Sequence, residues 1–155
     1  MEPLIVFLSV SALLFGIGRL VWSPLRSWVL ALRGGLAAMF IVTGISHFGV
    51  FGLRDELVAI VPTGLPSPEL LVTVTGILEL AGAIGLLLPG VWPWAAAGLA
   101  ALLVAIFPAN VFKALEDSTL RFSQELGPRT ALQVVFLAAT LALVGHHVRA
   151  RRRSA

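Results

Sequence analysis

Cysteine is absent from this chain of 155 residues. That excludes structural disulfides, cysteine metal sites and thiol–disulfide exchange by the chain itself. Histidine is scarce: His47 stands alone, and His146 and His147 lie far along the chain. A histidine-rich metal or haem site within one chain is not expected, and neither a metal nor a covalent cofactor is assigned. Charge is also sparse. Charged residues make up 12% of the chain, against about 25% in a soluble domain. What remains is 58% hydrophobic, with a mean hydropathy of +0.98. The chain reads as an all-α integral membrane protein, and its length allows one domain. Internal repeats and low-complexity segments are missing too, including the inverted repeats common in transporters.

A spanning helix needs about 20 mostly apolar residues. Five stretches qualify: Pro3 to Trp22, Trp28 to Phe48, Leu70 to Leu88, Trp92 to Phe112, and Thr130 to Val148. The first is not read as a signal peptide. Glu2 stands where positive charge is usual, and no clear small-residue cleavage site follows. It is expected to be a retained span.

The net charge of +3 does not point to nucleic acid, because of where the charges sit. Arg19, Arg26 and Arg33 surround the first connection, and Arg149, Arg151, Arg152 and Arg153 end the chain. Asp55, Glu56, Glu69, Glu116, Asp117 and Glu125 fall in the second and fourth connections. Five spans put the basic clusters on one side and these acids on the other. The positive-inside rule makes the basic side of this cell-membrane protein cytoplasmic and the N-terminus external. The basic tail, 149–155, is expected beside anionic lipid. Trp22, Trp28, Trp92 and Trp94 fall at the same interface and read as an anchoring belt.

The third connection, Pro89 to Val91, is so short that it dictates an antiparallel hairpin. The second is longer. Its middle, Leu53 to Val61, has apolar residues at 53, 57, 58 and 61, the spacing of one helix face. A short helix lying on the outer surface is expected there, closed by Pro62. The fourth connection, about 113–129, is amphipathic but less regular, and ends at Gly127-Pro128.

Polar residues inside the apolar stretches are the best pointers to function. Glu79 lies about ten residues into its span, or roughly 15 Å at 1.5 Å per residue, near the bilayer midplane. An ionised carboxylate there is very unfavourable unless paired, so a neutral or hydrogen-bonded acid is expected. His47 is at the outer end of the second span, with Thr43 one turn below on the same face. Asn110 lies near the outer end of the fourth span. Pro108 cannot donate to the backbone ladder, frees the Val104 carbonyl and is read as a kink. Arg129 and Gln133 share one face at the outer end of the last span. Together they describe a polar cavity that opens outward and narrows onto Glu79. Each residue has a blander reading. Glu79 can serve only to fix helix packing, His47 to cap a helix or meet headgroups, and Pro108 to kink. Gly76, Gly82, Ala83 and Gly85 read as small residues that let helices approach.

Taken in order, these segments resemble the DoxX family of membrane proteins. The motifs that carry the resemblance are G-x-x-H-F at Gly44 to Phe48, P-x-x-L-P at Pro62 to Pro66, and G-x-x-E at Gly76 to Glu79. Then come F-P-A-N at Phe107 to Asn110, and R-x-P-x-Q at Arg129 to Gln133, where Ala131 replaces the proline. The resemblance covers about 30–148. It implies a four-helix core over 28–148, with 3–22 as an extra N-terminal helix. The family is similar to the small DoxD-type subunit of thiosulfate:quinone oxidoreductase, so the resemblance implies oxidoreductase-like work. No redox cofactor motif is present, and the missing cysteine rules out copying the thiol chemistry proposed for some relatives.

Two functions are therefore expected as alternatives. In one, the chain is a subunit of a membrane redox system and binds a quinone or other lipophilic ligand. Glu79 and His47 would exchange the proton, and Thr43, Asn110, Arg129 and Gln133 would hold the ligand. Its partners would be membrane lipid, quinone and a redox or membrane protein. In the other, the chain is a non-enzymatic scaffold or assembly partner, and the polar residues hold the bundle together.

Overall fold

The computed structural model describes residues 2–21, 27–62, 64–116 and 126–154. These residues form helices and no strands. In chain order the helices are α1 (Glu2–Leu20), α2 (Trp28–Ser46), α3 (Arg54–Ile60), α4 (Pro68–Leu87), α5 (Trp92–Glu116) and α6 (Leu126–Ser154). All except α3 are long and apolar enough to cross a membrane. Large apolar side chains such as Leu13, Val74, Ile84 and Val104 point outward, which suits a bundle surrounded by lipid.

Helices α2, α4, α5 and α6 form a closed ring of neighbours, and α1 packs on the outside of α2. Nine residues of α2 are buried, against two of α1, Phe7 and Gly18. Phe7 reaches past α2 and meets Phe136 of α6 edge to face, with ring centroids 5.9 Å apart. A Cβ at Gly35 would come within 2.7 Å of the Phe7 carbonyl, so α1 and α2 touch backbone to backbone. Leu36, Met39, Phe40, Leu86, Leu99 and Leu143 fill the centre.

Helix ends differ from the sequence expectation where capping chemistry intervenes. The second span ends at Ser46, and His47 is its C-cap: its backbone N–H donates to the Gly44 carbonyl, and that of Phe48 to the Ile45 carbonyl. The last helix starts at Leu126, before Thr130. Pro128 falls in its first turn, where the missing N–H has no intrahelical partner to lose. The basic residues 149, 151, 152 and 153 ride on the continuation of this helix, so the expected tail is helical to Ser154. Likewise α5 runs beyond Phe112 to Glu116, and the remainder of the expected fourth connection, 117–125, lies outside the described residues. The short α4–α5 turn contains Gly90 at φ +80°, and the expected hairpin forms there. The short helix expected in the second connection forms as α3, one residue shorter at each end than the 53–61 segment.

The basic end is stitched by aromatic and cationic groups. Arg33 of α2 donates Nε to the Leu86 carbonyl (2.7 Å) and Nη2 to the Leu87 carbonyl (3.2 Å). A cation thus satisfies the last carbonyls of α4 and opposes the negative end of its dipole. The Arg33 guanidinium also stands 5.2 Å over the Trp92 ring. Trp28 meets His146, and Trp92 meets His147, both edge to face. Trp94 is exposed, while Trp22 lies outside the described residues.

Candidate functional site

Glu79 is 4% exposed and faces α2 across the bundle. Its Oε2 lies 2.7 Å from the Thr43 hydroxyl, and its Oε1 lies 3.8 Å from His47 Nε2. Thr43 is also 3.2 Å from the Met39 carbonyl and 3.4 Å from that of Phe40, so its one proton has three acceptors to choose between. If that proton goes to Met39, a neutral Glu79 can donate to Thr43 instead.

His47 reaches Glu79 because α4 lacks a side chain at Gly76. A Cβ there would sit 2.6 Å from His47 Cβ and 3.0 Å from Cγ. The other face of the ring is pinned. Nδ1 lies 2.8 Å from the Val72 carbonyl and 3.1 Å from the Thr75 hydroxyl. A carbonyl only accepts, so Nδ1 carries a hydrogen. Nε2 then holds either a lone pair or a second hydrogen toward Glu79. His47 and Glu79 therefore form an acid–base dyad, with the imidazole Nε2 facing the carboxyl. At 3.8 Å the pair is too far apart for a hydrogen bond but close enough for charge pairing.

Arg54 of α3 ties this end together. It donates to the His47 carbonyl, and its Nη2 donates to the Thr73 hydroxyl of α4 at 3.0 Å. One guanidinium thus joins α3, the cap of α2 and the start of α4.

A second polar group forms between α5 and α6. Arg129 Nη1 donates to Asn110 Oδ1 at 3.0 Å, and the Gln133 amide donates to the Leu103 carbonyl. That carbonyl neighbours Val104, whose carbonyl Pro108 deprives of a donor. Pro108 itself lies inside α5 with its ring exposed, off the cavity wall.

Both polar groups line one cavity of about 490 Å³, within the range of small-molecule sites. Thr43, His47, Glu79, Asn110, Arg129 and Gln133, assigned from the sequence, all stand on its wall. Most of the remaining wall is apolar, from Met39, Phe40, Leu103 and Phe136 among others. Leu57 and Ile60 of α3 and Leu65 of the following loop also line it. Among the described residues, no three His, Asp or Glu side chains gather to hold a metal ion.

Three participants were not assigned from the sequence. Thr75 sits one turn before Glu79 on the same face, a spacing visible in the chain. Arg54 and Thr73 act between segments far apart in sequence, and no local pattern announces them.

The family described as "Domain of unknown function (DUF8561)" matches residues 36–151. That is well over half of the 155 residues. The chain belongs to this family. The matched region takes in every residue of the cavity's polar groups, and α1 falls outside it. No curated protein and no solved structure matches the chain.

Proposed function

We propose that this member of the DUF8561 family binds a lipophilic, quinone-type ligand in the cavity and exchanges a proton with it through Glu79 and His47. The observation that carries this reading is the dyad, a buried carboxyl beside an imidazole on the wall of a mostly apolar cavity. Reduction of a quinone oxygen needs a proton at the moment charge develops on it, and a positioned acid supplies that. A ring oxygen placed between Oε1 and Nε2 would receive a proton from either. Gln133 and Asn110 would orient the far end of the ligand. Electrons would come from a partner redox protein, as the resemblance to the DoxX family implies. The chain then works as a membrane subunit of a redox system in a bacterial inner membrane. Its basic end faces the cytoplasm by the positive-inside rule, and the cavity opens on the opposite side.

A scaffold function is favoured by the same bonds in a different light. Thr43–Glu79 joins α2 to α4, and Gln133–Leu103 joins α6 to α5. Mass spectrometry of lipids co-purified in mild detergent decides between the two. A quinone retained by wild type and lost in Gln133→Ala supports ligand binding. Bulk phospholipid alone in both samples contradicts it.

A further inference from the structure

Arg129 stands on the wall of this mostly apolar cavity, and no acid among the described residues pairs with it. Among the described residues, the sole close acid–base pair is His47–Glu79, and Arg129 bonds only the neutral Asn110 amide. Among the described residues, Glu56 of α3 acts on Arg129 electrostatically, but it is exposed and outside ion-pair distance. A water-screened carboxylate of that kind neutralises little. A guanidinium has five N–H donors in a planar fork, and Asn110 takes one. A cation in such a wall is costly unless something completes it.

The two polar groups also sit at different depths. Glu79 is eleven residues past the start of α4 at Pro68, and Arg129 is three past the start of α6 at Leu126. If the two starts stand level, eight residues of helix rise correspond to about 12 Å along the bundle. A ligand that meets both groups therefore carries two polar ends separated by an apolar body.

We propose that the outer end of the cavity is an anion subsite, in which Arg129, oriented by Asn110, receives a carboxylate-type group borne on a lipophilic chain. The inference rests on the cavity being a lipophilic ligand site. The acid group would accept from the free edge of the fork, and its chain would descend along Leu103 and Phe136 toward Glu79.

The test uses the full chain in phosphatidylcholine discs, with empty discs as background. The probes are dodecanoate, dodecanol and decylubiquinone. Wild type is expected to bind dodecanoate at least about ten-fold more tightly than dodecanol, the gain of one charge-assisted contact. Arg129→Gln should erase that preference, while Arg129→Lys should keep part of it. If Arg129→Gln does not fold, the wild-type ratio decides by itself. Phosphatidylglycerol added to the discs separates the sources: displacement of dodecanoate assigns the anion to a lipid headgroup, and no displacement assigns it to a free acid. Equal binding of dodecanoate and dodecanol, with decylubiquinone still bound, would overturn the anion subsite and leave the ligand cavity standing. Failure of all three probes to bind would overturn both.

Discussion

Gly76→Ala should separate the dyad without touching either member. The new Cβ would lie 2.6 Å from His47 Cβ, 3.0 Å from Cγ and 3.1 Å from a Phe48 ring carbon. Carbon contacts are favourable from about 3.5 Å, so the end of α2 must retreat by about 1 Å. Rotation of the ring cannot relieve the clash, because His47 Cβ is fixed to the backbone. A retreat of that size stretches the 2.8 Å contact from Nδ1 to the Val72 carbonyl beyond hydrogen-bond range. It also takes Nε2 more than 4 Å from Glu79, starting from 3.8 Å. Overpacking costs about 1–3 kcal/mol, and the lost bond adds about 1 kcal/mol. Thermal unfolding in mild detergent should register this loss, and decylubiquinone binding should weaken with it. Gly98→Ala is the control, since a Cβ there meets nothing within 4 Å and removes a helix glycine. If Gly76→Ala unfolds and binds like Gly98→Ala, the close approach of α2 and α4 does not hold the dyad.

Glu79→Gln should fold with wild-type stability and keep the ligand, yet lose proton exchange, because the amide offers both a donor and an acceptor. Glu79→Leu should cost only about 1 kcal/mol in the same unfolding assay, since Thr43 falls back on the Met39 carbonyl, 3.2 Å away. A much larger loss would mean that Glu79 is chiefly a packing bond. Pro108→Ala should restore a donor to Val104 and shift Asn110 away from its 3.0 Å contact with Arg129, weakening dodecanoate binding without lowering thermal stability. Unchanged dodecanoate affinity would make the proline a tolerated residue with no part in placing Asn110. A C-terminal fusion to a reporter active only in the cytoplasm should be active, and a fusion after Glu125 inactive; the reverse result would invert the proposed orientation.

The sequence made the spans legible because lipid demands long apolar helices. It made the site legible because intramembrane polar groups are rare and fall at calculable depths. Thr43 and His47 share a face of α2, and Arg129 and Gln133 share one of α6, so helical spacing alone groups them. The dyad's geometry was not legible. It depends on Gly76, which in sequence is one small residue among several, and on the Val72 carbonyl, which no side-chain pattern encodes. Arg33 reads as a topogenic charge in the sequence, but in the fold it caps α4 from α2. Such contacts join residues 25 to 53 positions apart, and local periodicity is silent about them. The boundary errors at Ser46 and Leu126 have one cause: cap chemistry and a first-turn proline set helix ends, while hydropathy sets only their middles.

The central claim is that Glu79 and His47 hold one exchangeable proton against the ligand. Infrared difference spectroscopy of the reconstituted protein, between the quinone- and quinol-bound forms of decylubiquinone, reads that proton directly. The account predicts a change in the carbonyl stretch of a protonated carboxylic acid in wild type, shifted on deuteration and missing in Glu79→Gln. Identical difference spectra for wild type and Glu79→Gln, with ligand bound in both, would contradict it.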